Sequence, residues 1–178
     1  VPPTDTFGLA EEAVRSLGSA TDGAALVLYG HSVWLGQPEL IETVLREPFA
    51  TSLPEHLATT CDPLGGLDGA TSVEDVFRPD VLAAARAGDW PAPFDCMLEE
   101  GTVSRSPIPR THDAPVLYQI SGQDTLVVAD VGRRDARALC DAGYRLDFLE
   151  CAGASHTQGA IDSLPLKVRW LQDRFDGV

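Results

Sequence analysis

The sequence predicts an α/β protein in which parallel strands are sandwiched between helices. Residues 24–29 (AALVLY) form a continuous rather than alternating apolar run, as in a strand buried on both faces, and 116–120 (VLYQI) is a second buried-strand candidate. Amphipathic helical stretches separate the strand candidates, and such alternation favours a parallel sheet. The length, 178 residues and 19.0 kDa, suits one domain spanning 1–178.

In chain order, residues 8–18 place Leu9, Ala13, Val14 and Leu17 on one side of a short helix that stops at Gly18. Thr21-Asp22-Gly23 reads as a turn into the strand at 24–29. Pro38 interrupts the chain after that strand, and 39–46 is a second helical patch through Leu40, Ile41, Val44 and Leu45. Residues 47–110 are rich in Pro, Gly, Ser and Thr, with helical pieces near 53–58, 73–77 and 79–87, and read as a loop-rich cap or lid excursion. The strand at 116–120 ends in Ser121-Gly122-Gln123-Asp124. A helix follows at 128–141, stopped by Gly143, then a strand at 145–151 and a last helix at 163–175 with Leu164, Val168, Leu171 and Phe175 as its stripe.

Thirteen basic against 27 acidic residues give a formal charge of -14, which repels phosphate backbones and argues against nucleic-acid partners. No apolar run is long enough for a membrane helix, so no integral membrane association is expected. The start Val-Pro-Pro-Thr lacks Met and a basic, then apolar, leader; a leader already removed or a longer parent chain is expected. Four cysteines allow three pairings. Local loop closure favours Cys61–Cys96 and Cys140–Cys151, which fits a secreted protein; four reduced thiols are the alternative. The four histidines show no zinc spacing near the cysteines, so neither a metal nor an organic cofactor is implied.

Three residues carry the chemistry. Ser32, Asp124 and His156 each fall just past an expected strand, where ligands sit in open α/β sheets. A hydroxyl needs an imidazole to take its proton, and the imidazole needs a carboxylate to hold its tautomer. The interval between Asp124 and His156 fits one helix plus one strand. Singly, each has an ordinary role: Ser32 as a helix cap, Asp124 as a turn residue, His156 as a loop histidine. Asp130 and Asp135 fall inside the helix rather than at its entrance, and His112 and Asp113 fall at the wrong end of a strand.

On AALVLYGHS (24–32), PVLYQISGQDTLV (115–127) and RLDFLECAGASH (145–156), the chain resembles the α/β-hydrolase superfamily, and most closely its secreted lipases and esterases. The resemblance implies a parallel-sheet sandwich of α/β-hydrolase type. It implies Ser32 as nucleophile, Asp124 as acid, His156 as base, Val33 N–H as an oxyanion donor and residues 47–110 as cap. His31 and Trp34 would line the substrate pocket, with Leu35 and Trp90 as further acyl-site candidates. The sequence departs from the pattern twice. Trp34 occupies the second glycine of the elbow, with Pro38 in the elbow's helix, and only residues 1–31 precede Ser32. Segments missing before residue 1 and at a join near 32–38 would account for both.

The expected function is therefore a serine hydrolase cleaving small neutral ester or lipid substrates through an acyl-enzyme. The alternative is a non-catalytic α/β-hydrolase-like binding domain, or a fragment that needs a complementary chain to complete its sheet.

Overall fold

The computed structural model describes residues 4–106 and 109–177. The initial Val-Pro-Pro and positions 107–108 of the 47–110 stretch lie outside the described residues. Helices predominate, and among the described residues the sheet has two strands. The chain divides into two compact units, Thr6–Gly101 and a second made of Val1–Asp5 with Thr102–Val178.

The first unit is helical: α1 (Thr6–Ala13), α2 (Ser19–Trp34), a 3-10 helix (Pro38–Thr43), α3 (Phe49–Thr59), α4 (Val73–Val76), α5 (Pro79–Arg86) and α6 (Phe94–Glu100). Its core gathers Leu28, Ile41, Leu45, Leu53, Phe77, Trp90, Phe94 and Leu98, all essentially excluded from solvent. Burial of each such large side chain contributes roughly 1.5–3 kcal/mol against the entropy of ordering the chain. One antiparallel bridge, Leu45 to Phe77, ties the middle of the unit together.

Residues 24–29 are thus the middle of α2, not a strand. A six-residue apolar window cannot separate a buried strand from a buried helix. The longer window does: Thr21, Ala25, Leu28 and Ser32 recur at 4-3-4 spacing and are all fully buried, which is one face of a helix. Alanines at 20, 24 and 25 favour that state. Asp22-Gly23 lies inside the first turns, and Thr21 anchors the start. Its hydroxyl donates to the carbonyls of Ala13 and Ser16, both at 3.1 Å, while Gly18 N–H donates to Thr21 Oγ1 at 3.2 Å.

The second unit holds β1 (Val116–Ser121), α7 (Ala129–Asp141), β2 (Leu146–Cys151), α8 (His156–Asp162) and α9 (Leu164–Phe175). The strands are parallel, in register from Val116 opposite Leu146 to Ser121 opposite Cys151, and α7 makes the crossover. Tyr118 and Ile120 pack on Ala129, Ala136 and Leu139 of α7. Gln119 and Ser121 turn the other way, under Gly159 of α8, where a Cβ would overlap the Ser121 hydroxyl. Both faces of β1 are therefore covered, while β2 leaves Phe148 46% exposed.

The α/β-hydrolase assignment is overturned here. The resemblance implies a broad parallel sandwich, and this largely helical chain has a sheet of two strands, with a helix where the first strand of the pattern was expected. The α/β sandwich predicted for the whole chain is likewise corrected: helix–strand alternation is confined to the second unit.

Candidate functional site

The loops after β1 and β2 meet. Gly122 N–H donates to Cys151 O at 2.9 Å and Gln123 N–H to Ala154 O at 3.0 Å. Any side chain at Gly122 would overlap the Ala152 backbone, so only glycine permits this approach. The contact brings Asp124 to His156.

Asp124 sits on a tight turn. Its Oδ1 accepts the N–H groups of Leu126 and Val127 at 3.0 and 2.9 Å, and its Oδ2 lies 2.8 Å from His156 Nδ1. The Asp124 side chain is 7% exposed and that of His156 32%. A carboxylate only accepts, so Nδ1 carries the proton of the neutral imidazole and the lone pair is on Nε2. His156 opens α8, and its Nε2 can take a proton or accept a hydrogen bond.

The pair lies at the end of a groove of about 120 Å3 that runs along β1. All six strand residues, Val116–Ser121, line it, joined by Thr4, Asp124, Val127 and His156. Consecutive residues of a strand point to opposite faces, so a groove touching every one of them follows the strand's edge. Val116 N–H donates to Arg145 O at 2.8 Å, and Gly122 N–H crosses to the same side. Alternation then turns the Leu117, Gln119 and Ser121 amides away from β2, and among the described residues no backbone carbonyl receives them.

Ser32 is not presented as a nucleophile. It is fully buried in α2, and its Oγ donates to Leu28 O one turn back, at 2.9 Å. Val33 is inside the same helix, where its N–H belongs to the helical ladder rather than to an oxyanion site. Trp34 is 87% exposed, and Leu35 is also exposed. His31 closes the last turn of α2 with Nδ1 buried and unpartnered, and burial lowers its proton affinity. Trp90 belongs to the core of the first unit. The serine-hydrolase function, and with it an ester or lipid substrate, is corrected accordingly: no triad assembles around the expected nucleophile.

The expected disulfides are corrected too. All four cysteines are free, with Cys61, Cys96 and Cys140 exposed. Cys140 lies in the last turn of α7, whose end leads through the Gly143 turn into the start of β2, whereas Cys151 ends that strand. The strand between them spans roughly 16 Å at ~3.3 Å per residue, beyond the ~7 Å Cα limit of a disulfide.

Asp130 is exposed and paired with Arg133, and Asp113 is exposed and paired with Arg110. Asp135, in contrast, is 2% exposed and accepts hydrogen bonds from Thr4 (2.5 Å), Tyr118 (3.0 Å) and Ser104 (3.0 Å). Sequence reasoning missed this network, and it missed Gln119. The signal for Gln119 was visible: an amide inside the apolar run VLYQI must find a partner once buried. Among the described residues no cluster of three or more His, Cys, Asp or Glu is placed to hold a metal ion, and no helix is long and apolar enough to cross a membrane.

No family model, curated protein or solved structure matches this chain.

Proposed function

We infer that the second unit is a docking module, which takes up an extended segment as a further strand along the free edge of β1 and does not act as a self-sufficient catalyst. The groove along Val116–Ser121 carries this reading. Strand addition to an exposed sheet edge draws affinity from main-chain hydrogen bonds and specificity from the alternating side chains. The edge offers the amides of Leu117, Gln119 and Ser121, and both faces of β1 are already packed against helices, so the uncovered direction is lateral. A strand buried on two faces but unpaired on one side is a binding template, and natural proteins otherwise shield such edges.

The test uses a synthetic peptide of seven alternating Val and Thr residues flanked by lysines, titrated into the full chain at physiological salt. Protection of the Leu117, Gln119 and Ser121 amides from exchange, with β2 amides unchanged, is expected. A peptide that instead protects the outer edge of β2, or no β1 amide at all, contradicts the reading.

A further inference from the structure

Gln119 is nine-tenths buried, with 9% of its surface exposed, and lies in the middle of the groove-lining strand. Its Nε2 reaches Ser121 Oγ at 3.4 Å, whereas its Oε1 is buried without any hydrogen-bond partner. An amide oxygen left this way has given up its hydrogen bonds to water without replacing them. The neighbours cannot supply the missing donor. Gly159 above it has no side chain, and the Ser121 hydroxyl meets the amide at its Nε2 end, where it accepts, and not at Oε1. A strand added at the open edge would bring a side chain of its own beside Gln119, because residues opposite one another across paired strands share a face.

Resting on the docking reading, we propose that the strand recognised at this edge carries a serine or threonine beside Gln119, whose hydroxyl completes the amide's hydrogen bonding. A hydroxyl both donates and accepts, so it satisfies the amide in either of its two orientations. The strand's period of two then sets the rest of the partner. Positions on the α8 side, with Gln119 and Ser121, take small polar residues; positions on the α7 side, beside Tyr118 and Ile120, take apolar ones. The partner is therefore an extended segment alternating β-branched apolar and hydroxyl-bearing residues, and not a uniformly apolar one.

Threonine and valine have nearly the same shape, which allows a clean comparison. The probes are lysine-flanked heptapeptides of valine in which one threonine is moved through the positions, with an all-valine peptide as reference. On the full wild-type chain, one threonine position is expected to bind about tenfold tighter than all-valine, and its immediate neighbours, which face α7, to give no gain. In Gln119→Leu, checked for folding by circular dichroism, that preference is expected to vanish while the all-valine peptide binds at least as well. Equal binding of every peptide to wild type overturns the hydroxyl proposal and leaves the docking reading standing. Failure of all peptides to bind overturns the docking reading itself. A threonine preference that persists in Gln119→Leu also overturns the proposal.

Discussion

His156 Nδ1 lies 2.8 Å from Asp124 Oδ2, and the other carboxylate oxygen is held by the N–H groups of Leu126 and Val127. Three donors, two from the loop after β1 and one from the first residue of α8, converge on one nearly buried carboxylate, so the pair locks that loop to the start of α8. Asp124→Ala removes all three bonds and is expected to lower stability by about 2 kcal/mol in urea unfolding, compared with under about 1 kcal/mol for a typical exposed aspartate. Nitrogen NMR of the imidazole should show the proton on Nδ1 in the wild type and lose that fixed tautomer in Asp124→Ala.

Glycine makes the loop crossing possible. Gly122→Ala drives a methyl group into the Ala152 backbone, and Gly159→Ala drives one into Ser121 Oγ. Overpacking of this kind costs roughly 1–3 kcal/mol. Gly122→Ala should show the larger loss in denaturant midpoint, because backbone cannot rotate away. Ser121→Gly should restore part of the loss caused by Gly159→Ala, since it removes the atom that is struck.

Ser32 supplies the opposite test. Its hydroxyl donates to the preceding helical turn, a bond that adds little to a helix. Ser32→Ala is expected to change stability by less than about 0.5 kcal/mol. A fluorophosphonate should leave Ser32 unlabelled in the folded chain; labelling would restore the nucleophile reading.

Much of the second unit is legible in the sequence, because each of its elements carries its own boundary. VLYQI ends in Ser-Gly, the 128–141 helix ends before Gly143, and 145–151 is bounded by Gly-Tyr and Ala-Gly. The first unit is less legible. Thr21-Asp22-Gly23 has turn composition, yet the burial of Thr21 and Leu28 along one face draws it into α2; tertiary packing outweighs the local preference. The loss of strand 24–29 removes the elbow, and the family resemblance built on it. Along β1, the short spacing of Gln119 and Ser121 hides a directional fact, that both sit beneath α8 beside an unpaired edge.

Burial holds the Tyr118 phenol well above the ordinary tyrosine range, reinforced by the Asp135 carboxylate that accepts its hydrogen bond, while the Thr4 hydrogen bond works the other way. The folded state favours the neutral phenol. Its stabilising contribution is complete below the unfolded tyrosine value of about 10 and is lost as pH rises toward the folded value. Alkaline titration followed by phenolate absorbance should show the Tyr118 phenol ionising above the ordinary tyrosine range, together with unfolding. In Tyr118→Phe the late component should disappear. A Tyr118 phenol that ionises in the ordinary tyrosine range would contradict the buried network.

The free edge of β1 is tested most directly by amide hydrogen exchange on the chain alone, resolved residue by residue. Amides of Tyr118 and Ile120, directed at β2, should exchange slowly, and those of Leu117, Gln119 and Ser121 at least tenfold faster, giving an odd–even alternation along one strand. Uniformly slow exchange from Leu117 to Ser121 would mean that the edge is already paired, and would contradict the docking account.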